Sequence, residues 1–328
     1  MRRFLALLAT LPLLAAAAPD VPVPIDEWTV PYDNSRPRDP DVAPDGSVWF
    51  VGQRGDYLAR LDPATGTFSR HALADEPGPH NLIVGADGIV WYAGNLAGYI
   101  GRFNPKSGAV EKIAMPDAAA VDPHTLVFDA DQTHIWFSVQ GGNFVGRLTV
   151  ATRKVELIKV PTANARPYGI VVAPDGAPWV ALFGTNKLAS IDPASLALTE
   201  HALPFDDARP RRLLVATNGA IFYGDYARGE LGRLDPAIGR IKTWPLPGGS
   251  RSRPYGMAID RHDRVWTVET GARPNRLVGF DPAREEFFAV VDIPSGAGSV
   301  RHMAYDPGTH TVWFGTDANT IGRADVPD

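Results

Sequence analysis

Cysteine is absent from the 328 residues, so no disulfide and no cysteine-ligated metal site holds this chain together. Also missing are a His-Glu-x-x-His zinc signature, a calcium loop and a Gly-x-Ser-x-Gly nucleophile turn, which removes several familiar hydrolase patterns. Positive charge is not in excess: 32 Lys and Arg stand against 37 Asp and Glu. A mildly acidic chain has no electrostatic reason to take nucleic acid or anionic lipid as its main partner. Long apolar runs are scarce as well. One short run follows Met1-Arg2-Arg3 and ends in Ala15-Ala16-Ala17-Ala18. A basic start, a short apolar middle and a small-residue end make a secretory signal peptide, too short to span a bilayer stably. We expect residues 1–18 to be removed near Ala18, leaving 19–328 as one periplasmic or secreted domain without a membrane span. The remainder of a twin-arginine export motif is missing, which favours export of the unfolded chain.

What the chain does contain is a repeat. Trp49, Trp91, Trp136, Trp179, Phe222, Trp266 and Trp313 recur at intervals of 42 to 47 residues, each within a β-rich run such as Ser47-Val48-Trp49-Phe50. A second run follows in every unit, as in Tyr99-Ile100-Gly101-Arg102-Phe103 and Glu230-Leu231-Gly232-Arg233-Leu234. Asp45-Gly46, Asp87-Gly88, Asp175-Gly176 and Asn218-Gly219 precede the aromatic strand and mark tight turns, so the flanking strands pair antiparallel. Four short strands per unit, repeated seven times, predict an all-β seven-bladed propeller. The last unit stops at Arg323-Ala324-Asp325 without a fourth strand, and Trp28-Thr29-Val30-Pro31 matches the missing one. The N-terminal strand is therefore expected to close the last blade. The aromatics are expected to pack between blades, and the Ile-Gly-Arg glycines to permit close strand packing rather than to cradle phosphate.

Function in a repeat shows where equivalent positions differ. The start of the innermost strand holds Arg38, His80, His124, Tyr168, Arg211, Tyr255 and Arg301, in segments such as Gly78-Pro79-His80 and Arg253-Pro254-Tyr255. Seven-fold geometry places these long polar side chains around one mouth of the channel, an anion-friendly rim on an acidic protein. A second ring is expected after the aromatic strand, at Gly52, Gly94, Val139, Leu182, Asp225, Glu269 and Thr316, with Asp317 next to the last. Its carboxylates cluster near Arg211, Tyr255 and Arg301, where they bind a cation, orient an imidazole or pair with the arginines. His302 follows Arg301 and by strand alternation is expected to point away from the channel.

The recurring Arg-Pro-Tyr-Gly, Pro-Asp-Gly, Trp-Phe/Val/Thr and Ile/Leu-Gly-Arg pattern resembles the virginiamycin B lyase family over essentially all of residues 19–328. The resemblance implies a seven-bladed propeller that opens a cyclic depsipeptide by elimination, with a histidine base and a carboxylate-held magnesium ion polarising the carbonyl. The family's base histidine falls on Arg301, its assisting histidine on Tyr255, and its two metal-binding glutamates on Ser299 and Asp317. An arginine does not release its proton near neutral pH, so His302 and Tyr255 become the candidate proton acceptors beside Arg301. Glu269 and Asp317 are the candidate magnesium ligands.

Three readings follow. The first is a lyase acting on an ester or lactone at the mouth. The second is a non-catalytic binding propeller whose rim of Arg38, His80, His124, Tyr168 and Arg211 captures a small anionic molecule or an acidic peptide. The third is a calcium-dependent lactonase, for which Asn81 and Asn95 are the nearest asparagines. In each case the protein is expected to act as a monomer.

Overall fold

Alternating strand and turn signals at a fixed period leave each four-stranded unit with two apolar faces, and the apolar surface is removed only when neighbouring units stack. In the computed structural model, which describes residues 21–328, seven such sheets form one ring. The expected signal peptide, residues 1–18, lies outside the described residues. Blades 1 to 6 begin at Pro37–Val42, Pro79–Val84, Pro123–Phe128, Pro167–Val172, Pro210–Val215 and Pro254–Ile259, and their four strands follow in chain order. Blade 7 begins at Val300–Asp306 and is completed by Ile25–Thr29 from the other end of the chain. Trp28 pairs with Ile321 there, and the ring is closed as the sequence suggested. One 3₁₀ turn, Gly249–Arg251, is the helical segment among the described residues.

The repeated aromatics do pack between blades. Trp136 shares a buried cluster with Val145 of its own blade and with Ile170 and Val180 of the next. Trp313 and Ile321 of blade 7 likewise meet Val48 and Phe50 of blade 1. The Asp-Gly turns are three-residue connections: Ala43 N donates to Ser47 O at 2.8 Å, and Gly46 takes φ +79°, a region open to glycine. Asp45 Oδ1 accepts from Ser47 N at 3.0 Å and holds that turn.

Each inner strand carries a β-bulge near its start. In blade 3, Pro123 faces Val139 but Leu126 faces Phe137, so three steps on one strand match two on its partner. The same slip occurs in all seven blades. An extra residue breaks strict alternation and re-aims two successive side chains. That local device positions the site.

Candidate functional site

The bulge turns two neighbouring residues per blade toward the axis, at successive depths. The upper layer is the ring read from the sequence: Arg38, His80, His124, Tyr168, Arg211, Tyr255 and Arg301 all line one open cavity of about 460 Å³. The lower layer follows one residue on, at Asp39, Asn81, Thr125, Gly169, Arg212, Gly256 and His302. His302 therefore does not point away from the channel, as alternation suggested. It lines a separate cavity of about 260 Å³ farther down, bounded by inner-strand residues of every blade. Its side chain is thus in a different cavity from Tyr255 and Arg301, the residues expected to act beside it. Burial, then Arg212, pushes His302 down to about 4, and the nearby Asp39 only partly opposes this.

The second ring lies one residue later than expected. Gln53, Asn95, Gln140, Phe183 and Tyr226 line the mouth, each directly after a residue of the expected ring. Glu269, at the end of its strand, turns into the blade and is fully buried. It accepts from Arg276 Nε at 2.8 Å, Gly248 N at 2.6 Å and Ser252 Oγ at 2.9 Å. Asp225 is used in the same way, accepting the backbone N–H of Arg209 at 3.0 Å and of Ala227 and Arg228 at 3.2 Å. Asp317 does reach the rim, where Arg301 holds both its oxygens and Arg36 Nε stands 3.7 Å away.

Magnesium does not fit these residues. A metal needs carboxylate oxygens with free lone pairs, whereas Glu269 and Asp317 are each claimed by a guanidinium, and Ser299 replaces the other family carboxylate. The asparagines of the calcium reading are also engaged. Asn81 bonds Asp39 and Leu126 N, and Asn95 bonds Asp122 and Pro123 O.

The mouth is strongly positive. Arg36, Arg38, Arg166, Arg211 and Arg301 line it, and burial together with Arg301 and Arg38 lowers the proton affinity of Arg36. Burial and then the surrounding arginines keep His80 and His124 neutral, their rings tilted against each other with centroids 3.6 Å apart. Arg211 is held by aromatic faces rather than by a carboxylate. Its Cζ lies 3.6 Å from the Tyr255 centroid, 4.4 Å from Tyr226, 4.7 Å from Phe183 and 5.0 Å from Tyr168. Beneath it Tyr168 and Tyr255 hydrogen-bond through their hydroxyls. Burial raises Tyr168, but Arg211, Arg212 and Arg38 outweigh it, so its proton is held less tightly than a free tyrosine's. Burial and the Tyr168 neighbour push Tyr255 the other way.

Sequence reasoning missed Arg212. Its guanidinium crosses the axis and donates to Thr125 Oγ1 at 2.9 Å, Arg301 O at 2.9 Å and Asp39 Oδ2 at 3.3 Å. Aligning the seven residues after the rim positions would have exposed one arginine opposite one aspartate. It also missed Phe183 and Tyr226, whose signal is the interruption of the Gln53, Asn95 and Gln140 series by two aromatics.

A family pattern described as the virginiamycin B lyase family matches residues 20–191, more than half of the chain. Among solved structures, virginiamycin B lyase from Staphylococcus aureus superposes with a TM-score of 0.84 at 21% identity, covering 93% of this chain and 100% of that one. A catalytically inactive variant of that enzyme with quinupristin gives 0.84 at 20% identity, with coverage of 93% and 100%. A streptogramin B lyase structure gives 0.83 at 21%, covering 93% and 98%. At such identities the structures show a common fold. No curated protein sequence matches the chain. Because the family pattern spans most of the first four blades and the ring of seven agrees throughout, this chain belongs to the virginiamycin B lyase family.

Proposed function

We propose that this exported propeller captures a small carboxylate-bearing molecule at its arginine-lined mouth. One observation carries the reading: Arg211 stands in the cavity with no ion pair among the described residues, and its one side-chain hydrogen bond is to Tyr168 at 3.3 Å. A partly buried guanidinium that lacks a carboxylate retains most of its N–H groups for an incoming anion, and charge-assisted bonds of this type are strong. The carboxylates on the rim, Asp122 and Asp317, are engaged by Asn95 and Arg301 and leave the mouth positive. Metal-assisted elimination on an ester or lactone finds less support, because the two expected ligands are occupied by arginines. Export rests on the N-terminal segment and is checked by finding a mature N-terminus near residue 19.

Calorimetric titration with galacturonate, glucuronate and acidic peptides tests the proposal. Arg211→Met keeps the stem and removes the charge, and is expected to weaken the best carboxylate by about tenfold or more, equivalent to at least about 1.4 kcal/mol. Binding should also weaken as salt rises. Absence of binding by every carboxylate in the wild-type protein would sink the reading.

A further inference from the structure

We propose that the mouth is a metal-independent eliminating site, in which Tyr168 removes the proton α to a bound carboxylate and Tyr255 supplies a proton to the departing oxygen. This rests on the carboxylate-binding reading above. Both phenols line the mouth cavity, one from blade 4 and one from blade 6, and share a hydrogen bond. Arg211 Nη2 donates to Tyr168 Oη at 3.3 Å while its face covers the Tyr255 ring. One arginine therefore touches both phenols and also projects into the space where an anion would lie.

The charged groups facing Tyr168 are Arg211 and Arg212 of blade 5, Arg38 of blade 1 and Arg301 of blade 7. His124 of blade 3 packs against its ring in a tilted contact, centroids 3.9 Å apart, and is kept neutral. From blade 6 comes Tyr255 itself. The arginines favour phenolate at Tyr168, and burial favours the protonated form at Tyr255. Two titratable groups in contact whose proton affinities are driven apart make an acceptor and a donor.

The chemistry fixes the substrate class. A C–H bond beside a carboxylate becomes acidic enough to break only if the extra negative charge developing on that carboxylate is neutralised, which cations at the mouth accomplish without a metal. The substrate is then a β-alkoxy carboxylate, the class that includes uronate glycosides. The Tyr168 oxygen takes the α-proton, the C–H electron pair becomes the new C=C bond, and the β C–O bond breaks. The departing alkoxide takes the Tyr255 proton. Tyr168 is left neutral and Tyr255 anionic, and one proton moving across their shared hydrogen bond restores the starting state. The products are an unsaturated acid and an alcohol, and no oxidant, reductant or water is consumed.

Oligogalacturonate, alginate and glucuronan oligomers are the probes, with ultraviolet absorbance reporting the conjugated acid and hydrogen exchange in D₂O reporting α-proton removal. Wild-type protein is expected to show one tyrosine titrating below the ordinary value of about 10, and Tyr168→Phe is expected to abolish that titration. The same variant should lower turnover by about 10²- to 10⁴-fold while leaving carboxylate affinity within about threefold. Tyr255→Phe should retain α-exchange yet slow release of the alcohol, a split that a merely structural role would not produce. If uronates bind but neither exchange nor eliminate, or if no depressed tyrosine titration exists, this inference is overturned and carboxylate binding stands. If no carboxylate binds at all, both fall.

Discussion

Gly232 lies beneath the ring of Tyr223, its partner across two neighbouring strands of blade 5. The same pairing joins Tyr92 to Gly101, Phe137 to Gly146 and Phe314 to Gly322. A β-carbon at any of these glycines would overlap the facing ring. The repeated Ile-Gly-Arg glycines therefore keep bulky aromatics flat inside the blade, consistent with the close-packing role inferred from their strand positions. Overpacking of this kind costs about 1–3 kcal/mol, so Gly232→Ala is expected to lower the melting temperature with the mouth unaltered. Thermal unfolding beside a carboxylate titration checks both halves. A lost affinity with unchanged stability would contradict the packing role.

At the scale of the strand, the bulge decides what the mouth contains. Strand positions follow from period-two patterning, and the upper ring followed from them. The bulge carries no comparable mark in composition, because its extra residue is an aspartate in one blade, a glycine in another and a histidine in a third. Strict alternation therefore sends His302 the wrong way and places the second ring one residue early. The inner strand of blade 1 also holds Asp41, whose carboxylate accepts from Val42 N at 3.0 Å and from Val84 N of the next blade at 2.7 Å. Burial lifts it from 3.8 to about 6 despite those two bonds. A raised value means that the folded state holds the proton more tightly. Stability from this group is present below the unfolded value and is lost as pH rises through about 6. The difference corresponds to about 3 kcal/mol between acidic and neutral solution. Asp41→Asn lacks that titration, so its stability relative to wild type should rise by about this amount across the window. Denaturant unfolding at several pH values measures it, and a flat difference would refute the assignment.

For the molecule as a whole, closure joins the two ends of the described chain and Arg212 ties the ring across its middle. Closure was legible because the last unit visibly lacked a strand that the N-terminal segment could supply, and Trp28 now stacks on Trp313 at 5.5 Å. The central tie was not, because Arg212 and Asp39 are separated by 173 residues and meet only once seven blades close. From blade 5 the guanidinium reaches blades 1, 3 and 7, forming the layer between the mouth and the lower cavity. Asp39 is completely buried, and although burial acts against its charge, Arg38 and Arg212 hold it below the usual carboxylate range. A depressed value contributes stability above the unfolded pKa, and that contribution is lost as pH falls through the folded one. Arg212→Met leaves the carboxylate with Arg38 and Asn81 alone, and breaking a buried pair in this way costs about 3 kcal/mol or more. The penalty should be greatest at neutral pH and shrink below the carboxylate range, where Asp39 is protonated in both proteins. Paired pH-dependent unfolding curves check this. A penalty that does not change with pH would mean that Arg212 stabilises the ring through packing of its stem rather than through the charge it brings to Asp39.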